Sequence, residues 1–214
     1  ALVLASRGGH AAVVRVLLAC AEVEVNYAVR GDYTALIVVA HYGHKAVVEL
    51  LLAHAAVNPN QAMESGATPL FIAAEKGKEA VVKLLLAHAA VDVNQATQDG
   101  TTPLFIAAAM GNEAVVELLL AHAAIDVNQA EEGGRTPLFI AAEKGNASVV
   151  RLLLAHAAIA ADQADQIGRM PLFMAAEVEL LGAVVAEAKV AERARVAKLA
   201  AEARLVEAAR LAED

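Results

Sequence analysis

Apolar residues along this chain keep a register of 34. Leu36, Leu70, Leu104, Leu138 and Leu172 stand at that offset, as do the pairs Val13-Val14, Val47-Val48, Val81-Val82, Val115-Val116 and Val149-Val150. Turn-forming and polar positions share the step. Gly9, Gly43, Gly77, Gly111 and Gly145 form one series, and Asn26, Asn60, Asn94 and Asn128 form another, with Asp162 closing it. Thr68-Pro69-Leu70 recurs as Thr102-Pro103-Leu104 and Thr136-Pro137-Leu138, with degenerate copies at Thr34-Ala35-Leu36 and Met170-Pro171-Leu172. A fixed period of this size marks a repeat array, in which no unit can bury its apolar face alone.

Within one copy, Thr68 and Pro69 predict a helix start: proline suits the first helical position, and the hydroxyl before it can accept from free backbone N–H groups. The helix is read through Leu70 to Lys76, with Gly77 permitting a sharp turn. Val81, Val82, Leu84, Leu85 and Leu86 then follow the spacing of a second helix. Val91-Asp92-Val93-Asn94 reads as briefly extended, and Gln95 to Thr101, containing Asp99-Gly100, reads as a projecting turn. The expected fold is all-α: stacked helix-turn-helix units with short β-turn fingers.

Thr-Pro-Leu, Ala-Ala, Gly, Val-Val, Leu-Leu-Leu and Asp-Val-Asn, readable in residues 68–94 and again in 102–128, make the chain similar to the ankyrin-repeat family over about residues 1–177. The expected division is 1–33, 34–67, 68–101, 102–135 and 136–169, with 170–177 opening an atypical last copy. The first unit lacks its leading turn, which reads as a fragment of a longer protein; the alanine content also fits a designed chain. Phe71, Phe105 and Phe139 stand where the family often has His, implying that apolar packing replaces a polar stitch between repeats. The link His88-Ala89-Ala90-Val91-Asp92 is one residue longer than the usual connection and lacks its helix-ending glycine. Residues 178–214 read as a helical cap or extension: no Gly or Pro follows Gly182, and six basic and six acidic side chains lie from Ala183 onward. Unbroken from Ala183 to Asp214, the helix would be about 48 Å long at 1.5 Å per residue.

Composition narrows the function. Net charge is -8, which opposes binding to phosphate backbones, so no nucleic-acid partner is expected. No apolar run is long enough to span a bilayer, so no membrane partner is expected either. Cys20 is the lone cysteine, which excludes an intrachain disulfide and places the expected setting in the cytoplasm, the nucleus or, for a delivered effector, a host cytosol. His54, His88, His122 and His156 repeat with the period, but packed helices sit about 8–10 Å apart and zinc needs its nitrogens within about 2.1 Å. They read as a structural position, as do His41, His44 and Cys20. With no phosphate-cradling glycine motif and no acid–base pair to infer, neither enzymatic activity nor a metal or other cofactor is expected.

What varies while the repeat holds is the candidate site. The finger row and the pair before each turn change from copy to copy, and in the family these rows line a concave groove. The resemblance implies a protein-interaction module, with Tyr33, His41, Tyr42, Met63, Glu75, Lys76, Met110, Arg135, Glu143, Lys144 and Arg169 as partner-binding residues. The competing reading is a scaffold that forms homo-oligomers through the C-terminal helix.

Overall fold

The recurring hydroxyl–proline pairs start the inner helices. In the computed structural model, which describes residues 1–171, the Oγ1 of Thr68, Thr102 and Thr136 accepts from the backbone N–H three residues on, at 3.1–3.2 Å. Proline fills the first helical position of α5 (Pro69–Glu75), α7 (Pro103–Met110) and α9 (Pro137–Glu143). Thr34 caps α3 (Ala35–Tyr42) in the same way without a proline, and α1 (Leu2–Arg7) carries no side-chain cap. The outer helices are α2 (Ala11–Leu18), α4 (Lys45–Leu52), α6 (Glu79–Leu86), α8 (Glu113–Leu120) and α10 (Ala147–Ala155).

Each inner helix folds back on its outer partner through a glycine turn; Gly43, at φ +85°, closes α3 in the left-handed region that glycine enters without a Cβ penalty. The hairpins then stack, α1 on α3 on α5 on α7 on α9, and α2 on α4 on α6 on α8 on α10. One apolar core runs the length of the stack. Val81, Val82 and Leu85 are fully buried, and each such side chain contributes about 1.5–3 kcal/mol relative to exposure. Phe105 and Phe139 are buried and Phe71 is half-buried.

Polar stitches between repeats are nevertheless abundant, carried by other residues. Each asparagine of the periodic series bridges to the next unit: the Nδ2 of Asn26, Asn60, Asn94 and Asn128 donates to the carbonyls of Ala56, Ala90, Ala124 and Ala158 at 2.6–2.7 Å. Their Oδ1 atoms accept from the N–H groups of Asn58, Asp92, Asp126 and Ala160 at 2.8–2.9 Å. Asn112 and Asn146 add a second row, their Nδ2 donating to the carbonyls of Ala74 and Ala108 at 2.7 and 2.8 Å.

The periodic histidines follow the ends of four outer helices; α2, with Cys20 at that position, ends at the same register. Nδ1 of His54, His88, His122 and His156 accepts from the N–H two residues on, at 3.3–3.4 Å, a local side-chain turn of the kind that competes with helix continuation. The helix stops at Leu86, and Ala87 remains in right-handed geometry.

The fingers project between hairpins. Their tips hold Gly66, Gly100, Gly134 and Gly168 at φ +79° to +86°, and a β-carbon on Gly66 would fall 2.7 Å from the Thr97 Cα of the next finger. Adjacent fingers are joined through their backbones, Gln98 N–H to Ser65 O, Glu132 N–H to Asp99 O and Gln166 N–H to Gly133 O, at 2.9–3.0 Å. The sequence-based helix over 178–214 lies outside the described residues.

Candidate binding surface

All five fingers close their base identically, the N–H of one residue donating to the carbonyl four positions on: Val29 to Tyr33, Met63 to Ala67, Thr97 to Thr101, Glu131 to Arg135 and Asp165 to Arg169, at 2.9–3.1 Å. The base bond is constant, and the side chains at its two ends change in order from apolar to hydroxyl to ionic.

At the C-terminal fingers the charges satisfy one another. Arg135 Nε donates to Glu131 Oε1 at 2.9 Å, and its Nη1 lies 3.5 Å from Glu143. Burial pushes the Glu131 carboxyl up, but the bonds from Arg135 and the local backbone outweigh it and hold the group below the usual carboxylate range. Asp165 is held low in the same balance, with Arg169 Nη2 at 2.8 Å from Oδ2. The Arg169 guanidinium also sits 5.3 Å from the Phe139 ring centroid. In the middle finger, the Thr97 hydroxyl donates to Asp99 and lowers its carboxyl.

The charged residues of the N-terminal finger, Arg30 and Asp32, are exposed, and at its base stand the uncharged Val29 and Tyr33. These last two remain 39% and 41% exposed and form one wall of a groove of about 330 Å³ between α1 and α3. Val3, Leu4 and Arg7 from α1 and Val38, His41 and Tyr42 from α3 complete it. Leu4 is 71% exposed, whereas its counterpart Val38, in the helix packed between α1 and α5, is buried.

Tyr42 is held by three contacts. Arg7 Nε donates to its hydroxyl at 3.2 Å, the His41 ring meets it edge-on at 4.9 Å, and the His44 ring stacks on it at 5.9 Å. His44 is itself fixed, with Nε2 at 3.0 Å from the Arg7 carbonyl. An amphipathic ring is thus presented to solvent in a set orientation, the kind of group that anchors protein interfaces.

Of the residues singled out from sequence, the groove brings together Tyr33, His41 and Tyr42. Met110 is exposed at the end of α7 and Met63 is half-buried at its finger base. Glu75 and Lys76 pair with each other at 3.4 Å, Arg135 and Glu143 pair across the finger, Arg169 is engaged by Asp165, and Lys144 is exposed. Val3, Leu4, Val29, Val38 and Arg7 went unselected; the offset that aligns Arg7 with His41 and Leu4 with Val38 places them on the same row. Cys20 is exposed, with Sγ 3.5 Å from the Val16 carbonyl. Among the described residues no group of three or more His, Cys, Asp or Glu side chains could hold a metal ion, and no helix is long and apolar enough to cross a membrane.

Comparison with known families gives one match. The model for ankyrin repeats matches three times, over residues 1–62, 54–131 and 123–185. No curated protein matches the chain.

Proposed function

The chain belongs to the ankyrin-repeat family, and from that premise we propose that it is a non-enzymatic protein-binding module whose partner docks on the concave face at the α1–α3 groove. Members of this family are in general protein-interaction modules. The observation that carries the reading here is the contrast at the finger bases: Glu131 and Asp165 are bonded to Arg135 and Arg169, whereas Val29 and Tyr33, with Tyr42 beside them, are left exposed around a concavity. Tyr33, His41 and Tyr42 form the principal contact, with Met63, Glu75, Lys76 and Met110 extending it along the row, and Arg135, Glu143, Lys144 and Arg169 contributing at its far end.

On this reading residues 1–177 make up the binding solenoid and 178–214 cap or extend it. The lone exposed thiol suits a reducing setting such as the cytoplasm.

Affinity capture with the full chain, read by mass spectrometry, tests the proposal. Partners retained by the unsubstituted chain are expected to be lost with the Tyr33→Ala/Tyr42→Ala pair and kept with Glu49→Ala/Lys83→Ala on the outer helices. Retention by the tyrosine variant, or equal loss from both variants, rejects the groove.

A further inference from the structure

We propose that the α1–α3 groove receives a bulky apolar side chain from a partner segment that carries a single carboxylate beside it. This rests on the protein-binding reading above and adds the partner's chemistry.

The shape sets the first requirement. Val3, Leu4, Val29 and Val38 make the walls apolar, and a volume of about 330 Å³ lies at the lower end of the range for small-ligand pockets. It suits one large side chain and its immediate neighbours rather than a helix laid along the surface.

Charge sets the second. Among the lining residues Arg7 is the permanent cation, and no carboxylate lines the groove. Its Nε bond to the Tyr42 hydroxyl and its position 5.8 Å from the ring centroid hold the guanidinium at the rim. A guanidinium carries five N–H donors in a planar fork that matches a carboxylate, and among the described residues no carboxylate pairs with Arg7. The complementary segment therefore has one carboxylate, to meet the one guanidinium, next to its apolar anchor.

A random peptide library displayed on phage, panned on the immobilised full chain, tests this. Expected is enrichment of Phe, Trp, Leu or Met adjacent to one Asp or Glu. A synthetic peptide from that pool should bind about thirtyfold more weakly to Tyr42→Ala or Leu4→Ser by fluorescence anisotropy. On Arg7→Glu the pool should change to the same anchors beside Lys or Arg, while Arg7→Gln should lose the preference for either charge. Leu4 is 71% exposed, so the thermal melt of Leu4→Ser should match the parent, whereas Tyr42→Ala, which gives up the Arg7 bond and the ring contacts, should melt slightly lower.

A basic or charge-indifferent pool, or the same acidic pool on Arg7→Glu, overturns the partner chemistry and leaves the protein-binding reading standing. Peptides that bind Tyr42→Ala and Leu4→Ser undiminished overturn the groove as their site. Failure to enrich any peptide also overturns the proposal, and the capture experiment then judges the protein-binding reading independently. A doubled mass in light scattering that Tyr42→Ala abolishes assigns the groove to a second copy of the chain and overturns it as well.

Discussion

Ser6 stands where the register places Ala40, Ala74, Ala108 and Ala142, and its hydroxyl is fully buried with no hydrogen-bond partner among the described residues. An unsatisfied buried hydroxyl costs about 1–3 kcal/mol, and alanine also has the higher helix propensity. Ser6→Ala should therefore raise the stability of the chain by about 1 kcal/mol, measurable as a higher urea midpoint at unchanged slope. A neutral or destabilising result would mean that the hydroxyl has a partner after all. Asp32 is a second departure visible in the register. It occupies the finger-tip position held elsewhere by Gly66, Gly100, Gly134 and Gly168, and it takes the same left-handed backbone at φ +60°, which aspartate tolerates better than most side chains. Both departures show as breaks in a column of identical residues. That the Ser6 hydroxyl is orphaned depends on what surrounds it, and a column does not show that.

Between elements, the asparagine ladder carries the polar joining of one repeat to the next. Asn94 donates to Ala124 and accepts from Asp126, so Asn94→Ala removes two bonds and leaves two backbone groups to water. With a net value of about 0.5–1.5 kcal/mol for each bond, a loss of about 1–3 kcal/mol is expected. Asn94→Asp, which keeps the acceptor and loses the donor, should recover part of it in the same denaturation experiment; full recovery would show that the donor contributes nothing. The fingers add a pH dependence. Asp99, Glu131 and Asp165 have carboxyls below their ordinary values, so their contribution is fully present above the unfolded carboxylate range near about pH 4 and is lost as pH falls through the lowered values. The melting temperature should drop as the solution is acidified below that range. The combined Asp99→Asn, Glu131→Gln and Asp165→Asn variant should melt lower at neutral pH and show a flatter acid profile. An unchanged profile would remove the fingers from the acid response. The asparagine and histidine columns were legible as periodic from the sequence, but their bonds cross to the next repeat or turn back on the local backbone, and periodicity does not reveal either partner.

Across the whole molecule, stability is the sum of hairpins and the interfaces between neighbours, which makes it uneven. Helices α5 to α8 are flanked on both sides, whereas α1 and α2 pack on one side only and leave Leu4, Val13 and Val16 exposed. Amide exchange should be fastest in α1 and α2 and slowest in α5 to α8; uniform protection would contradict a stack held by nearest-neighbour contacts. The repeat, its all-α class and the helix starts at Thr-Pro were determined by the sequence alone, because capping chemistry and apolar spacing act over a few residues and recur at each copy. The candidate surface was legible only as rows of variable positions. Tertiary structure decided which members of those rows are free, because Arg135, Glu143 and Arg169 meet their counter-charges across a finger while Tyr33, His41 and Tyr42 meet α1 across a groove. Residues about 35 positions apart become neighbours only when one repeat stacks on the next. Exposure at the groove and the rim contacts of Arg7 are properties of that stacking, whereas the finger ion pairs join residues only four to eight positions apart.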